Sequence, residues 1–60
     1  MNNSNKEAIL SSLWQIDKQL ATTALKVKDT SELKKQGEKL ASLEEELINI
    51  IQEIEEVTYD

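Results

Sequence analysis

Apolar residues in the first half of the chain recur at alternating steps of four and three. The positions on this stripe are Ile9, Leu13, Ile16, Leu20, Thr23 and Val27. Because an α-helix turns once every 3.6 residues, such spacing gathers one coiled-coil-like stripe on a single helix face. Ser4 and Glu7 precede the stripe with the spacing of a capping box, in which Ser4 is the N-cap. The pattern predicts a first helix over about residues 4–28.

The second half carries a more regular heptad pattern. Two sets of positions spaced by seven interleave: Leu33, Leu40, Leu47 and Ile54, then Gln36, Leu43, Ile50 and Val57. Only the glutamine departs from the apolar rule. The pattern predicts a second helix over about residues 30–57, with a helical partner along its stripe.

The two heptad patterns do not share one register. Val27 would be followed on an unbroken heptad by Lys34, whereas the next apolar residue is Leu33. One missing residue rotates the second stripe by about 100°, so a single straight helix could not keep both stripes on one face. Asp29 and Glu32 have capping-box spacing, which predicts a turn over about residues 28–31 with Asp29 as the new N-cap. A continuous helix that exposes one stripe is the alternative, because no glycine ends the first helix.

A break at this point folds the chain into an antiparallel helical hairpin of two long helices. The expected fold is all-α, with residues 1–60 forming one domain in which residues whose numbers sum to about 60 face each other. The predicted hairpin core consists of Ile9, Leu13, Ile16, Leu20, Val27, Leu33, Leu40, Leu43, Leu47, Ile50 and Ile54. Disorder is disfavoured because the apolar residues are periodic rather than sparse.

A second apolar stripe lies beside the first on each helix. Its members are Leu10, Trp14, Ala21, Leu25, Ile48 and Ile51. Two helices cover only one stripe each, so this set is predicted to be a partner or oligomer interface with Trp14 as its anchor. A second hairpin would complete a dimeric four-helix bundle, and another helical protein is the alternative partner. Scattered surface hydrophobes are the other reading of the same residues.

Charge and composition limit the kinds of catalysis and metal binding that the chain can perform. The chain has 12 acidic and 7 basic residues, no cysteine and no histidine. Thiol chemistry, the commonest general base and the inward Glu-x-x-His metal motif of helix bundles are therefore absent. The adjacent Glu44, Glu45 and Glu46 point to different faces of a helix. These features predict a non-enzymatic protein without cofactor or metal. Gly37 is read as a site of close helix approach, as room for an incoming side chain, or as a merely tolerated glycine.

The predicted function is a small protein–protein interaction module, acting as an adaptor, inhibitor or assembly chaperone. The alternative is a nucleic-acid-binding regulator of the hairpin-dimer type. Its contacts would come from the lysines around the turn: Lys26, Lys28, Lys34, Lys35 and Lys39. The net charge of −5 disfavours nucleic acid. Without an apolar run long enough for a signal peptide or a membrane span, the expected location is cytoplasmic.

Overall fold

The computed structural model describes residues 3–57, and nearly all of them are helical. Helix α1 spans Asn3–Asp29, a single 3₁₀ turn follows at Ser31–Leu33, and helix α2 spans Lys34–Glu56. The two helices pack against each other, which confirms the all-α prediction. Because α1 already begins at Asn3, Ser4 lies inside its first turn, and the predicted N-cap role of Ser4 is wrong.

The chain reverses at Thr30, inside the stretch where the register mismatch predicts a break. Thr30 has an extended backbone, with φ −89° and ψ 114°. Its amide donates a hydrogen bond to the Val27 carbonyl at 3.1 Å, and its hydroxyl Oγ1 donates to the Lys26 carbonyl at 3.1 Å. The last turn of α1 thus gains partners for carbonyls that a helix end leaves unsatisfied. An extended residue needs no left-handed conformation, which explains how the turn forms without glycine.

The predicted capping box at the turn is wrong. Asp29 is the last residue of α1, and Thr30 occupies the position before the 3₁₀ turn without any side-chain cap hydrogen bond. The turn is held instead by a backbone bond, in which the Leu33 amide donates to the Thr30 carbonyl at 2.9 Å. Thr30, rather than Asp29, occupies the position just before the 3₁₀ turn because its β-branched side chain suits an extended backbone.

The backbones of the two helices lie in close contact next to the turn, at Gly37. A β-carbon built on Gly37 would lie 2.6 Å from the Cα and from the amide nitrogen of Lys28. Gly37 is buried. The backbone of α1 therefore occupies the space that any larger residue at position 37 would need.

At the opposite end, Lys6 ties the start of α1 to the end of α2. Its ammonium group donates hydrogen bonds to the carbonyls of Glu55, at 2.7 Å, and Val57, at 2.8 Å. The last carbonyls of a helix carry partial negative charge and lack intrahelical donors. The Lys6 ammonium group therefore caps the C-terminal end of α2 and ties it to α1 in an antiparallel alignment.

The molecule is one layer thick. Its Cα atoms extend over 49 × 15 × 9 Å, the dimensions of two helices lying side by side. Among the described residues, no third layer covers either broad side of the pair. Any apolar side chain that does not point directly at the neighbouring helix is therefore left open to solvent.

Candidate interaction surface

The seam between the helices runs along the middle of each apolar arc. Ile51, which is fully buried, and Ala24, 5% exposed, are its most enclosed apolar side chains. The other apolar residues that are half-buried along it on α1 and α2 are Leu10, Leu13, Leu20, Ala21, Val27, Leu40, Ala41, Leu47, Ile48 and Ile54. The seam thus takes members from both predicted stripes.

This placement corrects the predicted division between core and partner interface. Five residues assigned to the hairpin core are exposed: Ile9, Ile16, Leu33, Leu43 and Ile50. Ile51, assigned to the partner interface, has no exposed surface with which to contact a partner. Small residues explain the difference, since Ala24, Gly37 and Ala41 let the backbones approach along a line between the two stripes.

One broad side of the hairpin, which we call the tryptophan face, carries Trp14 and Leu25. A shallow groove of about 240 Å³ crosses this side and is lined from both helices. Its walls are Ala21, Ala24, Leu25, Lys28, Ala41 and Glu44. Trp14 is 45% exposed and Leu25 is 63% exposed. Of the residues predicted to bind a partner, Trp14 and Leu25 are the two that remain exposed in the hairpin.

The other broad side carries four large aliphatic residues and is called here the broad apolar face. Ile9 and Ile16 leave α1 on the side opposite Ala21 and Leu25, as their helical positions require. By the same geometry, Leu43 and Ile50 leave α2 on the side opposite Ala41 and Ile48. Since Ala21 and Ala41 line one groove, these four residues share the reverse side of the hairpin.

The broad apolar face has more large exposed apolar side chains than the tryptophan face, four against two. Its four defining side chains are 39–52% exposed. Between them lie half-buried residues that also belong to the heptad stripes, namely Leu13, Leu20, Leu40, Leu47 and Ile54. Seven residues separate Ile9 from Ile16, and Leu43 from Ile50. The face therefore carries two rows of branched aliphatic side chains, one along each helix. A partner helix packs against such rows.

Two carboxyl groups meet inside the seam near its middle. Asp17 is 8% exposed, and it is the buried charged residue among those that the structure describes. A hydrogen bond with Asp17 raises the pKa of Glu44, and desolvation and repulsion by Asp17 and Glu45 act in the same direction. The Asp17 Oδ1 atom has no hydrogen-bond partner. Sequence analysis missed this pair. The numbers 17 and 44 sum to 61, so the hairpin places the two residues opposite each other, but neither belongs to an apolar stripe and neither was expected on the seam.

The lysines near the turn form a mixed rather than a purely basic surface. All five are exposed. The same segment, residues 26–39, also contains Asp29, Glu32 and Glu38, so five positive charges meet three negative ones for a net charge of +2. Interspersed carboxylates weaken the potential that attracts phosphate groups. The arrangement gives little support to nucleic-acid binding.

Within residues 3–57, no group of three or more acidic, histidine or cysteine side chains is placed to hold a metal ion. The larger surface hollow, of about 530 Å³, lies on α1 alone and is lined by Gln15, Lys18, Gln19, Thr22 and Thr23. With walls from a single helix, it offers no converging groups for chemistry. Neither α1 nor α2 contains an apolar stretch long enough to cross a bilayer, over the part of the chain described.

Comparison with protein-family models, with curated proteins and with solved structures finds no match to this chain. The broad apolar face, the tryptophan face and the Asp17–Glu44 carboxyl pair are the distinctive features of the hairpin.

Proposed function

We propose that this chain is a non-enzymatic protein–protein interaction module that docks helices of a partner onto the broad apolar face. The observation that carries the proposal is the exposure of Ile9, Ile16, Leu43 and Ile50 on one side of a packed helix pair. Contiguous apolar surface of this kind on a small protein marks an interaction site. An adaptor, an inhibitor and an assembly chaperone would all act through such a face.

The total surface of the hairpin supports this proposal. A compact monomer of 6.8 kDa exposes about 4,000 Å², whereas this chain exposes 4752 Å². The excess of roughly 800 Å² is what one partner contributes to a standard protein–protein interface. A single layer of two helices thus exposes more surface than a compact monomer of the same mass.

The tryptophan face is the competing site. It retains the predicted anchor, Trp14, but its groove contains the charged Lys28 and Glu44. A partner there would have to desolvate both charges, which opposes binding unless each is paired. The broad apolar face offers four branched side chains without that penalty, so we assign the docking to it.

An affinity experiment tests the proposal. Immobilised wild-type protein and the double variant Ile16→Glu/Ile50→Glu are exposed to lysate of the native host, and captured proteins are identified by mass spectrometry. Each candidate, the chain itself included, is then purified and titrated against both baits by calorimetry. We expect at least one protein to bind the wild type more than about a hundredfold tighter, because two charges would be buried unpaired in the variant.

The matched control is Gln15→Glu/Ser42→Glu, which adds the same charge at exposed positions outside the face. This control should bind as the wild type does. The proposal would be refuted if every candidate bound the wild type, the Ile16→Glu/Ile50→Glu variant and the control variant equally.

A further inference from the structure

We infer that the occupant of the broad apolar face is a second copy of this chain, docked face to face so that the turns lie at opposite ends. This inference rests on the proposed function and names its partner. The resulting assembly would be a four-helix bundle with twofold symmetry, built from two layers of the hairpin described above.

The heptad stripes point toward such a bundle. In a two-stranded coiled coil, both core positions of each heptad face the partner helix and are buried. Here one position of each heptad is half-buried, as at Leu13 and Leu20, while the other is exposed, as at Ile9 and Ile16. In a four-helix bundle the core positions point between two neighbouring helices, so that each neighbour covers part of them. This pattern of exposure at the heptad core positions is the one expected of a hairpin that forms one half of a four-helix bundle.

The area matches as well. The surface in excess of that of a compact monomer is roughly 800 Å² over the whole chain, which is of the order that one partner contributes to a standard interface. A second hairpin has the same single-layer thickness and the same apolar rows. Across a twofold axis between them, Leu43 would meet Ile50 of the second copy, and Ile9 would meet Ile16, because each pair is spaced by seven residues.

Charges along the edge of the broad apolar face select the orientation. Lys39, Glu46 and Glu53 follow one another at heptad spacing on α2, beside Leu43 and Ile50, and all three are exposed. With turns at opposite ends, α2 lies antiparallel to α2 of the second copy. Lys39 then approaches Glu53 of the second copy, and the symmetry repeats this ion pair.

The orientation with both turns at the same end is disfavoured by the same charges. In that arrangement α2 lies against α1 of the second copy. The lysines of the two turns, Lys35 and Lys39 on one chain and Lys26 on the other, would then lie side by side. Like charges at an interface edge suppress that pairing.

A distance measurement tests the inference directly. The chain has no cysteine, so a Ser31→Cys variant carries a single nitroxide label at the turn, where Ser31 is exposed. Electron-spin distance measurement should give one separation close to the 49 Å length of the hairpin. A separation under about 20 Å, expected for adjacent turns of neighbouring packed helices, would overturn the orientation.

A charge exchange supplies the second readout. Lys39→Glu and Glu53→Lys should each weaken the dimer by about threefold to thirtyfold, because each affects two symmetric exposed pairs. The double variant should recover wild-type affinity to within about threefold. Lys18→Glu/Glu38→Lys exchanges the same charge types away from this edge and should leave affinity unchanged. Additive losses in the Lys39→Glu/Glu53→Lys variant would overturn the pairing.

A monomeric mass at every accessible concentration would overturn self-association altogether. That outcome is distinguishable from failure of the proposed function. If a different protein still discriminates the wild-type bait from the Ile16→Glu/Ile50→Glu bait, the docking face stands and only the identity of its occupant is wrong.

Discussion

Gly37 lies so close to Lys28 that a β-carbon on the glycine would come within 2.6 Å of the Lys28 Cα. Real β-carbons do not approach backbone atoms that closely, so the helices would have to separate to admit one. The glycine thus sets the closest approach of the two helices beside the turn. Of the readings of Gly37 offered by the sequence, the close helix approach is the one that the structure confirms.

Gly37→Ala should destabilise the hairpin by about 1–2 kcal/mol. Alanine gains about 1 kcal/mol over glycine in helix propensity, but overpacking of a tight contact costs about 1–3 kcal/mol, and here the clash involves a backbone. Urea denaturation followed by circular dichroism measures the difference. Ser42→Ala, at an exposed position of the same helix, is the control and should be neutral or slightly stabilising. A Gly37→Ala variant more stable than the wild type would show that the contact is not tight.

Lys6→Met should destabilise the open end of the hairpin by about 1 kcal/mol. The substitution keeps the apolar stem but removes two hydrogen bonds to the carbonyls of Glu55 and Val57, together with a favourable charge at a helix C-terminus. Amide hydrogen exchange in the last turn of α2 should accelerate most. Lys18→Met on the same helix is the control, and equal effects of the two substitutions would argue against a specific cap.

Glu44→Gln should stabilise the protein at neutral pH, because the folded state raises the pKa of Glu44 above its ordinary value of 4.5. A carboxyl group with a raised folded-state pKa favours folding while it is protonated. Its contribution is fully present below the unfolded-state pKa and is lost as pH rises through the folded-state pKa. Glutamine cannot lose a proton and therefore avoids the repulsion with Asp17.

Melting temperatures of the wild type and of Glu44→Gln, measured from pH 3 to pH 8, test this linkage. The advantage of the variant should grow as pH rises and should be smallest at acidic pH. Glu38→Gln removes the same charge from an exposed position and serves as the control. Parallel curves for wild type and Glu44→Gln would mean that Glu44 and Asp17 are not coupled.

Much of the architecture follows from the sequence. Periodicity and helix-forming composition suffice to predict two helices, and the slip from Val27 to Leu33 locates the break. The cap at that break is not predicted correctly, since Asp29 and Thr30 both suit a helix boundary. The deciding factor is the extended backbone at Thr30 and the bond from its hydroxyl to Lys26, neither of which a capping-box pattern encodes.

The site was harder to predict than the fold. Each helix has an apolar arc approaching half its circumference, so periodicity alone does not say which part faces the neighbouring helix. Small residues decide it: Ala24, Gly37 and Ala41 draw the seam toward Ile51 and leave Ile16 outside. The predicted hairpin brings Lys6 and Val57 to the same end, but the pattern of apolar positions does not specify a bond from the Lys6 side chain to a backbone carbonyl.

Sedimentation equilibrium of the wild type, Ile16→Glu and Trp14→Ala over a range of concentrations tests most directly which face is covered. In the hairpin, Ile16 is 51% exposed and Trp14 is 45% exposed, so neither substitution should reduce helix content, which circular dichroism verifies. We expect the wild type and Trp14→Ala to have twice the 6.8 kDa chain mass. Ile16→Glu, which would bury two unpaired charges per dimer, should remain monomeric. A dimeric Ile16→Glu together with a monomeric Trp14→Ala would contradict the account and place the interface on the tryptophan face.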